Sequence, residues 1–255
     1  MINKIKQIMN LEKELDIAKK AASTAGDILL NKKDTLNNLI FSSDRDVKLE
    51  ADIAAENLIK DIIKNESPFP ILAEESGKSV QNLGDTFWVV DPLDGTANYT
   101  RNIPLCCVSI ALVSNLKPVM GVIYDFNNND LYEGTEESKA LLNNKLINVS
   151  DVAEKNKGIL LTGLPNATDY SDKAMLLMAK DFQTWRKVRM IGSAAMAAAY
   201  VASGKADIYK EFGTYLWDVA AGAAIVSAAG GVAEITNQRA NYQVDVSFSN
   251  LKILE

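Results

Sequence analysis

Apolar positions in the first quarter of the chain recur with the period of an α-helix. Between Leu11 and Leu29 they return every three or four residues, which predicts a long amphipathic helix. The same period around residues 55–62 predicts a second helix, and Asp52 lies near its start. The sequence therefore predicts a pair of helices before the first buried strand.

Short continuous apolar runs follow, and their length is typical of buried strands. A strand over residues 69–73 ends at Glu74. A second strand over residues 87–90 runs into an acidic hexapeptide that contains a proline and a glycine, so its acids are expected on a turn at the carboxyl end of the strand. The hexapeptide reads Asp91-Pro92-Leu93-Asp94-Gly95-Thr96.

Strand and helix patterns alternate along the rest of the chain, which is typical of a layered α/β protein. A pair of glycines, Gly230 and Gly231, ends the last predicted helix. A division into two lobes, residues 1–150 and residues 151–255, is a hypothesis. The predicted strands cover residues 106–113, 119–124, 159–162, 187–190 and 206–210, and the predicted helices cover residues 172–182, 193–203 and 217–229.

Composition is that of an ordinary globular protein, with 47% apolar and 24% charged residues. The net charge of −6 argues against a nucleic-acid partner, although bound divalent cations would still admit a small phosphorylated ligand. The chain contains no histidine, which excludes Ser-His-Asp triads, phosphohistidine enzymes and most zinc sites. An enzyme of this composition has to use carboxylates, hydroxyls, lysines or hard metal ions.

No feature of the sequence indicates a membrane or an oxidising compartment. The first twenty residues carry charges throughout, and no apolar stretch is long enough to span a bilayer. Two adjacent cysteines, Cys106 and Cys107, lie in an apolar run, which predicts core positions and not a disulfide framework. We expect a protein of the reducing cytoplasm.

The pair Asp91 and Asp94 is the sharpest candidate for chemistry. Two carboxylates three residues apart on a rigid turn can face one ion or a close pair of ions, and the Leu93 carbonyl is a further hard ligand. Magnesium prefers such oxygen ligands, with water and substrate phosphate completing its shell. The N–H groups of Gly95 and Thr96 could hold phosphate oxygens. A turn whose acids only bind backbone donors is the alternative for this motif alone.

Three more acids lie where a strand ends or a helix starts. Glu74 follows a strand, at a position where the loops of α/β sheets build sites. Asp52 and Asp218 lie near helix starts, where capping explains each of them by itself. Any one of these acids is more simply structural, and only the joint pattern supports a site.

That joint pattern resembles the inositol monophosphatase family, the lithium-sensitive magnesium phosphatases. The matching segments run from Trp88 to Tyr99 and from Trp217 to Gly222, with Ala228–Gly231, Ala73–Ser76 and Ile191–Ala195 in the expected order. The resemblance spans the chain from the first helix to Gly231. It implies an α/β fold of layered αβαβα sandwich type, commonly a homodimer, that hydrolyses a small phosphate monoester with two or three magnesium ions.

The resemblance also implies roles for single residues, most of them in the front lobe. The magnesium ligands would be Glu74, Asp91, the Leu93 carbonyl, Asp94 and Asp218. The residues that orient and activate the attacking water would be Asp52 and Thr96. The phosphate would lie on Gly95 and Thr96, and the organic part of the substrate would meet Gly192, Ser193, Ala194 and Glu211, the last just beyond the strand over residues 206–210 and before a turn that contains Gly213.

Two departures from the family pattern leave the substrate open. Residues 46–52 read Asp-Val-Lys-Leu-Glu-Ala-Asp where Asp-Leu-Val-Thr typically precedes the acid, and Phe41 stands where inositol enzymes often have a lysine. Sugar phosphates are therefore as well supported as inositol phosphates. Fructose 1,6-bisphosphate, histidinol phosphate and 3′-phosphoadenosine 5′-phosphate are alternatives, although Ala97 after Asp-Gly-Thr disfavours the nucleotide. A non-catalytic, protein-binding regulator is the alternative of a different class.

Overall fold

The computed structural model describes residues 10–36, 38–42, 47–165 and 168–253. The helices in this part are α1 (Leu11–Asn31), α2 (Lys33–Leu36), α3 (Glu50–Glu66), α4 (Thr96–Thr100), α5 (Asp172–Phe182), α6 (Ala194–Ala202) and α7 (Leu216–Ala228), with a 3-10 turn at Lys155–Lys157. The strands are β1 (Leu39–Ser42), β2 (Val47–Leu49), β3 (Ile71–Ala73), β4 (Gly77–Lys78), β5 (Thr86–Asp94), β6 (Cys107–Ser114), β7 (Lys117–Asp125), β8 (Asp130–Thr135), β9 (Leu141–Leu142), β10 (Lys145–Leu146), β11 (Ile159–Thr162), β12 (Lys187–Met190), β13 (Ile208–Tyr215), β14 (Val232–Thr236) and β15 (Gln243–Ser249).

Two mixed sheets carry the fold. The larger has eight strands in the order β10-β9-β8-β7-β6-β5-β3-β4, and within it only the pair β3 and β5 is parallel. The smaller has five strands in the order β12-β11-β13-β15-β14, in which β11 runs parallel to both of its neighbours. A separate antiparallel pair, β1 and β2, precedes α3.

Helices and sheets alternate as five layers. The apolar stripes of α1 and α3 cover one face of the eight-stranded sheet. The helices α6 and α7 fill the space between the two sheets, and α5 lies against the outer face of the five-stranded sheet. The predicted layered αβαβα architecture is therefore confirmed.

The local sequence explains why each helix takes its layer. The stripe of α1 is apolar on one side only, and its start is fixed by the Asn10 side chain, which accepts a hydrogen bond from the Lys13 N–H at 3.1 Å. The two inner helices are rich in alanine and are buried on nearly all sides. Such small apolar residues suit helices that contact a sheet on each side.

Strand β5 continues into the acidic hexapeptide as far as Asp94, so the prediction that its acids lie on a turn is wrong. Asp91 pairs with Ser109 and Asp94 pairs with Cys107, so two residues of β5 oppose one residue of β6. This bulge accommodates Pro92, which has no N–H to donate to the ladder. The chain leaves the strand only at Gly95, whose φ of 88° lets α4 begin at the next residue.

The structure also lengthens the strand predicted at residues 206–210. Strand β13 runs from Ile208 to Tyr215 and contains both Glu211 and Gly213, so Gly213 lies within a strand and not in the expected turn.

The final hairpin of β14 and β15 was not predicted. The hypothetical lobe boundary near residue 150 falls between β10 and β11, which belong to different sheets, and stays a prediction. None of the helices in the described part is long and apolar enough for a bilayer crossing.

Candidate active site

A cavity of about 300 Å³ opens at the carboxyl ends of β3, β5 and β11, beside the starts of α4, α6 and α7. Every predicted site residue except Asp52 lines it, although these residues come from points as far apart as Glu74 and Asp218. The lining residues that the sequence predicted are Glu74, Asp91, Leu93, Asp94, Gly95, Thr96, Gly192, Ser193, Ala194, Glu211 and Asp218.

The bulge in β5 explains how Asp91 and Asp94 reach the same cavity. Side chains three residues apart in a regular strand point to opposite faces of the sheet. The extra residue of the bulge restores a common side, because the partners Ser109 and Cys107 are two residues apart on β6. The Asp91 carboxylate is further fixed by the Leu93 N–H, which donates to its Oδ1 at 2.9 Å.

Asp94 joins the large sheet to helix α6. Its Oδ2 accepts hydrogen bonds from the Ser193 hydroxyl at 2.5 Å and from the Ala195 N–H at 2.7 Å. Ser193 is the N-cap of α6, where the unpaired N–H groups of the first turn favour a carboxylate. The predicted substrate-contacting residue Ser193 therefore also holds a predicted cation ligand.

Asp218 lies in the first turn of α7 and lines the same cavity as Glu74, Asp91 and Asp94. Its Oδ2 accepts from the Thr214 hydroxyl at 2.6 Å and from the Tyr215 N–H at 2.9 Å. The second bond closes a capping box at the helix start. Capping thus fixes Asp218 without removing it from the cavity.

Negative charge dominates the cavity wall. Of the described residues that line it, five are acidic and none is a lysine or an arginine. Burial raises the pKa values of Glu74 and Asp91, whose carboxyl groups lie within hydrogen-bonding reach of each other; the charge of Asp218 adds to the increase at Glu74, and the charge of Glu74 adds to the increase at Asp91. Burial likewise raises the pKa of Asp94, and burial with the charge of Asp94 raises the pKa of Asp218 to about 7.

This donor set fits a hard divalent cation. Buried carboxylates that repel one another are stable as anions only beside compensating positive charge, and the wall supplies none. Within the described residues no three acidic or thiol groups are already spaced to enclose a single ion. Magnesium does not need such a cage, because it usually takes one or two carboxylates and fills its shell with water and substrate phosphate.

Asp52 contacts the cavity through Thr96. The Thr96 hydroxyl lies 3.2 Å from Asp52 Oδ1 and 3.0 Å from the Leu93 carbonyl, and Asp52 Oδ2 accepts from the Leu49 N–H at 2.6 Å. A hydroxyl has one proton, so Thr96 donates to one of these two acceptors at a time or shares its proton between them. Burial raises the pKa of Asp52 to about 7, which suits a group that takes up and returns a proton near neutral pH.

Glu211 faces the cavity from strand β13 and is not a surface carboxylate. Its Oε2 accepts a hydrogen bond from the hydroxyl of the buried Tyr209 at 3.0 Å. Burial raises the pKa of Glu211 to about 8. The side chain therefore lies among polar groups that can exchange hydrogen bonds with a hydroxylated ligand.

The segment before α6 is held against α4. The Asn98 side-chain amide donates to the carbonyls of Ile191 and Leu105, both at 2.8 Å. These bonds fix the approach of Gly192 and Ser193 to the cavity.

Several lining residues were missed by the sequence analysis. Tyr209 alternates with Glu211 along one strand, so the two-residue period was a usable signal for it. Residues 162–165 include the last residue of β11 and the loop after it, a place where α/β sheets commonly bind ligands. Thr214 had no local signal.

Comparison with known proteins identifies the class of protein that this fold and cavity define. Residues 10–250 match the model of the inositol monophosphatase family, and the chain belongs to that family.

Individual relatives are similar over most of their length. The chain is 40% identical to the Nus factor SuhB of Xylella fastidiosa over 85% of this chain and 80% of the relative. It is 39% identical to an inositol-1-monophosphatase of Synechocystis sp. over 73% of this chain and 66% of the relative. The inositol monophosphatase structure from Anabaena (Nostoc) sp. PCC 7120 superposes with a TM-score of 0.82 at 35% identity, covering 95% of this chain and 92% of that one.

Proposed function

We propose that the chain hydrolyses a small phosphate monoester, an inositol phosphate or a sugar phosphate, with magnesium as its cofactor. The observation that carries the proposal is a cavity wall with five carboxylates and, among the described lining residues, no lysine or arginine. A dianionic phosphate does not bind such a wall unless cations lie between them. Membership of the inositol monophosphatase family supports the same reaction class.

The residues that would hold magnesium are Glu74, Asp91, the Leu93 carbonyl, Asp94 and Asp218. When bound, magnesium supplies positive charge for the phosphate oxygens and for the departing alkoxide. The backbone at Gly95 and Thr96 lies on the cavity wall and would hold the phosphate in line.

The proton of the attacking water would leave through Thr96 and Asp52. The Thr96 hydroxyl borders the cavity and contacts Asp52 at 3.2 Å, so a proton accepted at Thr96 Oγ1 has a buried carboxylate next to it. Threonine alone is too weak a base for this step, and a carboxylate whose pKa lies near 7 supplies the missing basicity.

A panel of phosphate esters tests the proposal. The purified chain with magnesium should release inorganic phosphate from at least one inositol, sugar, nucleotide or amino-alcohol phosphate, measured by a colorimetric phosphate assay. The esters without a magnesium supplement and a protein-free reaction are the controls. Absence of release from every ester would contradict the proposed function.

A second candidate is a non-catalytic regulator that binds another protein. The relative at 40% identity that carries the name Nus factor SuhB favours it. The same panel separates the two candidates, since a chain without catalysis releases no phosphate from any ester. The homodimer and the absence of a nucleic-acid partner stay predictions.

Glu211→Gln should raise KM for a hydroxylated substrate more than it lowers kcat. A charged acceptor contributes about 1.5–3 kcal/mol to a hydrogen bond, which corresponds to a KM increase of about tenfold or more. Burial raises the pKa of Glu211 to about 8, so its carboxyl group ionises between pH 6 and pH 9. The ratio of the variant KM to the wild-type KM should grow over this range, because glutamine is neutral like the protonated carboxyl group and unlike the carboxylate. Steady-state kinetics at several pH values measure this.

Two comparisons check the role of Glu211. The Glu234→Gln variant changes an exposed glutamate of β14 and should leave KM unchanged. A phosphate ester without hydroxyls should be hydrolysed almost normally by Glu211→Gln. Equal losses on both kinds of ester would instead indicate a structural role.

A further inference from the structure

Strand β13 changes the face to which its side chains point at Gly213. Before that residue, Glu211 lines the candidate active site, whereas Phe212 lines a separate groove on the other face of the sheet. Regular alternation would place Thr214 on the Phe212 side, yet Thr214 lines the active-site cavity. The register of β13 therefore decides which side chains reach the site.

A bulge produces this change. Phe212 pairs with Asp245 and Thr214 pairs with Val244, so Gly213 is an extra residue that opposes no residue of β15. Its φ of 81° is a conformation that glycine adopts without strain. The bulge moves Thr214 to the cavity side and buries it, with 2% of its surface exposed.

Asp245 holds the bulge in place. A bulge leaves its extra N–H outside the ladder, and the Gly213 N–H donates to Asp245 Oδ1 at 2.8 Å. The Asp245 side chain is buried, and it also accepts from Asn237 Nδ2 at 2.7 Å and from both terminal nitrogens of Arg239 at 3.2 Å. The carboxylate is thus fixed from the β14 side of the sheet, away from the cavity.

The bulge connects to the cavity through two donors on one oxygen. The Thr214 hydroxyl and the Tyr215 N–H bind Asp218 Oδ2 at 2.6 Å and 2.9 Å. Both donors follow Gly213 directly, so a shift of the bulge moves both of them. Two bonds to one oxygen set the rotation of the carboxylate about its own axis.

We propose that Asp245 is a positioning residue that acts through Thr214 on Asp218. By accepting the Gly213 N–H, Asp245 keeps Thr214 on the cavity side, and Thr214 orients the Asp218 carboxylate for a divalent cation. The proposal rests on the proposed function for the cation, while the chain of hydrogen bonds from Asp245 to Asp218 stands independently of it.

Binding of Mn²⁺ alone, followed by electron paramagnetic resonance, tests the proposal. Thr214→Val should weaken Mn²⁺ binding by about tenfold, since residues that hold a metal ligand typically contribute 10–100-fold to affinity. Asp245→Ala should weaken it by about threefold to tenfold, and Asp245→Asn, which keeps an acceptor for the Gly213 N–H, by less. The double variant Asp245→Ala, Thr214→Val should lose less affinity than the sum of the two single losses, because both changes act on the orientation of the Asp218 carboxylate.

Asp207→Asn is the matched control. Asp207 is a buried aspartate next to the other end of β13 that accepts the Ile159 N–H at 2.6 Å, so its change should lower the melting temperature without changing Mn²⁺ affinity. Wild-type affinity in Asp245→Ala, or additive losses in the double variant, would overturn the proposal. If Asp245→Ala does not fold, Thr214→Val carries the test, and wild-type Mn²⁺ affinity in that variant overturns the proposal.

Amide hydrogen exchange separates this proposal from the proposed function. The Tyr215 N–H donates to Asp218, and this bond depends on the position of the Gly213 bulge that Asp245 holds. In the absence of any cation, the Tyr215 N–H should therefore exchange faster in Asp245→Ala than in the wild type. If wild-type protein binds no Mn²⁺, the proposed cation site fails, and the exchange rate alone decides the positioning role. An unchanged Tyr215 exchange rate in that case would overturn it.

Discussion

Replacing Asp91 by asparagine should lower kcat by several orders of magnitude while the chain stays folded. Asp91 is 1% exposed and the charges of Glu74, Asp94 and Asp218 all act on its carboxyl group, so among the proposed cation ligands it is the one that we expect to contact more than one ion. Asparagine keeps the shape and can still accept from the Leu93 N–H, but it removes the charge that attracts a divalent ion. The loss should appear in kcat at saturating magnesium.

The stability of the same variant shows whether the loss is chemical. Burial raises the pKa of Asp91, so its protonated form favours the folded state. The stabilisation is present at low pH and is lost as pH rises, which means that an ionised Asp91 destabilises the cation-free fold at neutral pH. Asp91→Asn should therefore melt no lower than the wild type without magnesium, and magnesium should raise its melting temperature less.

A matched control for Asp91→Asn lies on the approach to the same strand. Asp85 is an exposed aspartate just before β5, and Asp85→Asn should leave both kcat and the effect of magnesium unchanged. Near-normal turnover in Asp91→Asn would rule out the acidic wall as the reaction site.

Removal of divalent cations should abolish phosphate release, and magnesium should restore it. The acidic wall repels a phosphate dianion, and a chain without histidine offers few other routes to an activated water. Dialysis against EDTA, followed by titration with magnesium in the phosphate assay, measures the effect. Full activity after exhaustive chelation would contradict a cation-dependent reaction.

Magnesium should also stabilise the fold in a pH-dependent way. A ligand at 100 times its Kd adds about 2.7 kcal/mol, which for a chain of this size raises the melting temperature by about 5–10 °C. Because burial and the charge of Asp94 raise the pKa of Asp218 to about 7, the cation-free protein should lose stability as pH rises from the ordinary aspartate range through 7. The magnesium effect should be correspondingly larger at pH 8 than at pH 5, as scanning calorimetry can measure.

Local sequence patterns predicted much of the fold because the bounds of many helices and strands depend mainly on the residues within them. Strands β11 and β12 and helix α5 have the predicted bounds, and α7 begins within one residue of its prediction. The two bulges were not predictable in this way, since each depends on which residue of a distant strand lies opposite. The Pro92 bulge needs Ser109 and Cys107 of β6, and the Gly213 bulge needs Asp245 of β15.

The residues of the candidate site likewise differ in whether the sequence could predict them. Its acids could be named from the sequence because spaced family motifs carry them, and the structure brings them to one cavity. Thr214 could not be named, because only the bulge moves it to the cavity side of β13. The proton path to Asp52 was implied by the resemblance alone and stays a proposal, which the Thr96 contact at 3.2 Å supports.

The cavity is lined by residues from two different sheets, and this separation has an evolutionary consequence. Glu74, Asp91 and Asp94 come from the β3 and β5 ends of the large sheet, and Asp218 comes from the start of α7, whereas Glu211 and residues 163–165 come from the small sheet. New substrate preferences can thus arise through changes at Glu211 and residues 163–165 while the proposed cation ligands of the large sheet stay unaltered. A library that randomises only Gly163, Leu164 and Glu211 would sample new substrates without touching a proposed cation ligand.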